Sequence, residues 1–126
     1  MRALIRAVAE APVDEGPAAT CRDDLVQAVD EAVTNTIRHG YAGRPGWVEV
    51  AIRRDGDRFV VVVEDEAPVF DPRSVAPPDL DVPPERRRPG GMGVLLMRTA
   101  VDTIEHRPRP GGGNILTMTR RIVRDS

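Results

Sequence analysis

Lysine is missing altogether: all 18 basic residues of this 126-residue chain are arginine. That rules out a Walker phosphate loop, whose lysine reaches the phosphates, the catalytic lysine of the protein-kinase fold, and a Schiff base on a lysine amine. Cysteine occurs once, as Cys21, so there is no internal disulfide and no CxxC pair. With only His39 and His106 beside it, no zinc set can be assembled. No apolar run approaches the roughly 18 residues of a membrane span. The opening MRALIRAVAEAP is too short and too charged for a secretory signal. A net charge of -2 offers no basic surface for nucleic acid. What remains is a single domain over residues 1–126, large enough to bury one core. The expected setting is cytoplasmic, with neither membrane nor nucleic acid as partner.

Residues 2–10, RALIRAVAE, have helical propensity and a Leu4/Ile5/Val8 stripe, and two prolines and a glycine in residues 11–17 end them. A longer helix is expected from Arg22 to His39, with Thr20 or Asp23 as cap and Gly40 as terminator. WVEVAIR (47–53) alternates and reads as a half-exposed strand. RFVVVVED (58–65) reads as an interior strand covered on both faces, and the RDGD between the two as a tight hairpin. Residues 67–93 hold seven of the twelve prolines and little apolar periodicity, the composition of a functional loop. A short helix (94–102) and two strands, 103–107 and 114–123, joined by PRPGGG, complete the chain. Sequential hairpins with helices on one face make an α+β two-layer sandwich with a mostly antiparallel sheet.

At about 100° per residue, Leu25, Val26, Val29, Val33 and Ile37 share one arc of the long helix. Glu31 lies nearly opposite, with Asp24, Gln27, Asn35 and Arg38 around it. Glu31 and Asn35, four residues apart, are surface neighbours. The wheel alone leaves two readings open: a solvated polar face, or a carboxylate for proton transfer beside an amide oxygen suited to Mg2+.

The stretch DEAVTNTIRHGY (30–41) resembles the N-box of the GHKL ATPase superfamily, in the form carried by bacterial anti-sigma-factor serine kinases. VVVEDEAPVFDP (61–72) resembles its first glycine box, RPGGMGVLLMRTAVD (88–102) its second, and GGGNILTMTRR (111–121) its last strand. The resemblance implies the Bergerat ATP-binding fold, with residues 71–92 as the lid, and ATP and Mg2+ as cofactors. It implies Glu31 as general base, Asn35 as magnesium ligand and Asp65 as acceptor for the adenine amine. Ala67, Gly90, Gly91, Met92, Gly93 and Val94 would line the nucleotide, with the helix from Val94 presenting its N-terminus to the phosphates. The implied partners are an anti-sigma-factor antagonist, as the phosphorylated substrate, and a sigma factor.

Other residues read as supporting ones. His39 is expected to pack or hydrogen-bond at the helix end rather than bind metal, residues 85–88 (ERRR) to be a solvated lid segment with one arginine able to touch the phosphates, and Met92, Met97 and Met118 to fill the core. Two features depart from the family pattern. Val69 stands where many relatives have glycine, and a β-branched residue does not readily take φ > 0. The strand that usually precedes the first helix is expected to be absent. These departures make the family's usual homodimer a weaker implication. They also support an alternative, a non-catalytic ATP- or protein-binding module cut from a longer phosphatase or signalling protein.

Overall fold

The computed structural model describes residues 3–9, 17–76, 79–86 and 92–122. Strand β1 (Ala3–Ala9) leads into helix α1 (Pro17–Asn35), which runs on as a π-helical turn over Thr36–Gly40. Strands β2 (Gly46–Asp55) and β3 (Arg58–Asp65) follow. Two short 3-10 turns, Pro72–Ser74 and Pro84–Arg86, precede helix α2 (Met92–Ala100). Strands β4 (Thr103–Pro108) and β5 (Asn114–Arg121) close the chain. The five strands lie in the order β1-β2-β3-β5-β4, an α+β fold as expected.

The first element is a correction. Residues 3–9 form a strand rather than a helix, so the N-terminal strand expected to be absent is present. It pairs in parallel with β2, from Ala3 opposite Gly46 to Ala9 opposite Ile52. Alanine, leucine and isoleucine at these positions satisfy either period. The deciding factor is tertiary: the free edge of β2 presents backbone donors and acceptors that a seven-residue ladder satisfies. A parallel pair needs a long crossover, and α1 supplies it. The other pairs, β2 with β3, β3 with β5 and β4 with β5, are antiparallel. The β2–β3 hairpin turns at Gly56, which takes φ 62°.

Helix α1 also starts earlier than expected, at Pro17, so Thr20 and Asp23 are inside it rather than capping it. Its buried face is Cys21, Leu25, Ala28 and Ala32, whereas Val26 is 62% exposed. The inner face is thus turned by roughly 100° from the arc of large apolar residues. Small side chains at 28 and 32 carry little weight in a hydrophobic pattern, yet they let the helix approach its neighbours closely. That rotation brings Asn35 to the inside. The core between helices and sheet is filled by Val48, Val50, Phe59, Val61, Val63 and Leu116 from the strands. Met97 and Met118 are fully buried there, as core filler. Strand β3 is central, with Val60 also buried on the opposite face while Val62 is only partly covered.

Candidate functional site

Strand β3 ends at Asp65, whose side chain is only 4% exposed. One carboxylate oxygen, Oδ1, accepts from the Ala67 N–H and from Asn114 Nδ2, both at 2.9 Å. The other, Oδ2, accepts from the Thr36 hydroxyl at 3.1 Å. A buried carboxylate with three donors is held in one orientation. Thr36 reaches it because α1 widens at its end, where the Tyr41 N–H bonds to the Thr36 carbonyl five residues back at 2.8 Å.

The same widened turn seats Tyr41 in the core. Its hydroxyl donates to the Trp47 carbonyl at 2.6 Å and accepts from the N–H groups of Trp47 and Glu66. One phenol thereby joins the end of α1, the start of β2 and the exit from β3. Gly40 ends the turn for a different reason than expected. It has no positive φ, but a Cβ there would fall 2.8 Å from the Ala67 Cβ. The left-handed positions are Ala42 and Gly43 instead.

Between α1, the end of β3 and the start of β5 lies a cleft lined by Asn35, Thr36, Asp65, Phe70, His106 and Asn114, among others. Its cavity volume is about 40 Å³, room for a few waters and well below a typical small-molecule pocket of about 300–1,000 Å³. At one end, Asn35 Nδ2 is buried without a hydrogen-bond partner, alone in this among the side-chain atoms of the described residues. Such a group costs about 1–3 kcal/mol. An anionic oxygen beside Nδ2 and a hard cation on Oδ1 would occupy both ends of the amide, so Asn35 fits the role of magnesium ligand. Among the described residues no cluster of three or more His, Cys, Asp or Glu side chains offers a metal site.

Of the residues expected in the site, Asn35, Asp65 and Ala67 line this cleft together. Glu31 is not part of the lining; it lies half-buried one turn back along α1, against Gly93 of α2. A Cβ on Gly93 would stand 2.5 Å from Glu31 Oε2 and 3.8 Å from Asn35 Oδ1. Val94 is 6% exposed and belongs to the core. Gly90, Gly91 and the Met92 side chain lie outside the described residues, as do Arg87 and Arg88. Glu85 and Arg86 are exposed. His39, expected to pack or hydrogen-bond at the helix end, is exposed. Val69 is 57% exposed and its φ is not positive, so the loop accommodates a β-branched residue without strain.

Three site residues escaped the sequence reading: Thr36, His106 and Asn114. Asn114 is the most telling. It opens β5 directly after three glycines, all with positive φ. A Cβ on Gly113 would fall 2.0 Å from the Asp65 carbonyl oxygen, so glycine there is what lets β5 begin against Asp65. A polar side chain directly after a run of three glycines is the signal that the sequence offers.

No helix among the described residues is long and apolar enough to cross a membrane. The family described as the histidine kinase-like ATPase domain matches residues 1–120. An anti-sigma F factor of Thermoanaerobacter sp. (strain X514) is 32% identical over 102 residues, covering 81% of this chain and 71% of that one. The serine-protein kinase RsbW of Halalkalibacterium halodurans is 31% identical over 107 residues, covering 82% of this chain and 64% of that one. Among solved structures, the histidine kinase domain of a blue-light activated kinase from Erythrobacter litoralis superposes with a TM-score of 0.62 at 19% identity. That match covers 95% of this chain and 52% of that one, so the chain spans about half of that kinase and just under two thirds of the serine kinase. The mycobacterial sensor histidine kinase MprB gives a TM-score of 0.61 at 13% identity, covering 94% and 81%. These histidine kinase structures bear on the fold alone. With residues 1–120 matched by the family model, the chain belongs to the histidine kinase-like ATPase domain family, the GHKL group.

Proposed function

We propose that this domain binds ATP with Mg2+ and transfers a phosphoryl group to a serine of an anti-sigma-factor antagonist, as one component of a partner-switching circuit that also binds a sigma factor. The observation that carries the reading is Asp65, a buried carboxylate with both oxygens anchored by protein donors at the floor of a cleft. A carboxylate so placed accepts from an exocyclic amine, as in adenine, and disfavours the carbonyl oxygen that guanine presents at the same position. The relatives named as an anti-sigma F factor and a serine-protein kinase support the choice of substrate class.

In this reading Asn35 holds Mg2+, and bound Mg2+ would offset the negative charge of the phosphates. Glu31, on the same helix face, accepts the proton of the attacking serine hydroxyl. Gly93 keeps the first turn of α2 against that carboxylate, and residues 71–92 close over the nucleotide. The two grounds for a non-catalytic module were the glycine missing at Val69 and a missing first strand. The first causes no backbone strain, and the strand is in place.

The test is calorimetry with ATP and Mg2+, followed by radiolabel transfer to a candidate antagonist protein. Glu31→Ala is expected to bind ATP and to lose transfer by about 100-fold or more. Unchanged transfer by that variant removes Glu31 from the mechanism. Absence of ATP binding by the unaltered chain removes the reading as a whole.

A further inference from the structure

Asn114 is 7% exposed and makes five hydrogen bonds through one amide. Its Nδ2 donates one hydrogen to Asp65 Oδ1 at 2.9 Å and shares the other between the carbonyls of Pro68 at 3.2 Å and Ala67 at 3.3 Å. Its Oδ1 accepts from the Phe70 N–H at 2.8 Å and meets His106 Nε2 at 2.7 Å. Because a backbone N–H can only donate, the atom facing Phe70 is the oxygen, and the amide orientation is determined. His106 must then donate through Nε2–H. Neutral in that tautomer or doubly protonated, the ring keeps this bond.

Three of the five bonds go to the loop that roofs the cleft. Pro68, Phe70 and Ala67 all line it. Burial secures Ala67, at 2% exposed, but not the outer part of that roof, since Val69 is 57% and Phe70 44% exposed. Ala67 is also held by Asp65, and Asn114 ties the outer Pro68–Phe70 part of the loop down over a cavity of only about 40 Å³. The same side chain orients the carboxylate that reads the base.

We propose that Asn114 is a positioning residue with two separable roles: a latch that gates entry of the base, and a clamp that fixes Asp65 for base selection. This rests on the nucleotide reading given above. A purine enters only when the three loop bonds let go, and is selected only while the Asp65 bond persists. Threonine at this position supplies a hydroxyl for Asp65 but lacks the second arm needed for the loop. Alanine supplies neither.

Stopped-flow binding of a fluorescent ATP analogue separates the two roles. Asn114→Thr is expected to bind and release the analogue at least fivefold faster, with equilibrium affinity changing less than either rate. Its preference for ATP over GTP should stay near that of the unaltered chain. Asn114→Ala should bind as fast but lose most of that preference. A side chain with only a structural role would lower stability without speeding association. Unaltered rates in Asn114→Thr overturn the latch, and an undiminished ATP preference in Asn114→Ala overturns the clamp. If the unaltered chain binds no analogue, the nucleotide reading and this inference fall together. Hydrogen exchange guards against variants that do not fold. In the unaltered protein the Phe70 amide should be protected despite its exposed position, and rapid exchange there overturns the latch.

Discussion

Gly93 and Glu31 stand so close that a methyl group on the glycine would fall 2.5 Å from the Glu31 carboxylate oxygen. The obstructed atom is the tip of a flexible side chain, which can swing aside, so Gly93→Ala is expected to fold. Replacing glycine in a helix even adds up to about 1 kcal/mol. The displaced carboxylate should nevertheless lower phosphoryl transfer at least tenfold. Thermal unfolding beside a transfer assay checks both; full transfer would show that Glu31 has no fixed task.

Gly113 makes the opposite case. A Cβ there meets the Asp65 carbonyl oxygen at 2.0 Å and the Glu66 Cα at 2.8 Å, and the residue sits at φ 119°. Neither neighbour is a side chain that can move away. Gly113→Ala should cost more than about 2 kcal/mol in urea unfolding, through backbone strain and displacement of β5. A cost near zero would mean that the Asp65 corner is not rigid.

Tyr41→Phe removes one oxygen and leaves the ring. The Trp47 carbonyl and the N–H groups of Trp47 and Glu66 lose their shared partner. The expected loss is about 2–3 kcal/mol by chemical denaturation, dominated by the partly buried groups left unpaired. A change below about 0.5 kcal/mol would place water in the gap.

Asp71 offers a pH test. Hydrogen bonds from the Arg73 side chain hold its carboxyl below its ordinary value of 3.8, against a smaller opposing effect of burial. The Asp71 side chain also caps the Pro72–Ser74 turn by accepting from the Arg73 N–H. A depressed folded value means stabilisation that is complete above the unfolded value and lost as pH falls through the folded one. The Arg73 amide resonance should therefore hold steady from pH 7 to about pH 4 and move below it. In Asp71→Asn that titration should vanish, because the cap survives and the ion pair does not. A resonance that shifts at pH 6 would point to another group.

Much of this architecture is legible in the residues. Strands β2 to β5 follow from alternation and turn chemistry, and Asp65 stands out as the polar end of a valine run. What could not be read is what tertiary contacts decide. Residues 3–9 form a strand because β2 has an edge to fill, a fact that lies 40 residues downstream. The inner face of α1 is centred on Cys21, Ala28 and Ala32, and small residues are weak markers in any hydrophobic pattern. Thr36 meets Asp65 only because the helix widens by one residue at its end. Asn114 falls within the last-strand block and His106 within no motif, and neither stands out there as a site residue; their part in the site is a matter of register between β4 and β5, where Pro108 faces Asn114 and His106 faces Leu116.

The anchoring of Asp65 also bears on how the domain unfolds. Its donors come from the end of α1, from its own following loop and from the head of β5. No single hairpin or helix contains the set, so a partly folded chain in which α1 peels away or β5 detaches has no intact carboxylate to offer. A ligand engaging Asp65 would distinguish the complete fold from every sub-global opening. It would raise the melting temperature of the whole domain as one unit, by the equivalent of about 2.7 kcal/mol at a hundredfold excess over its Kd. Core substitutions far from the cleft would then show up as a greater ligand requirement near the transition, and ligand concentration becomes a direct gauge of folding cooperativity.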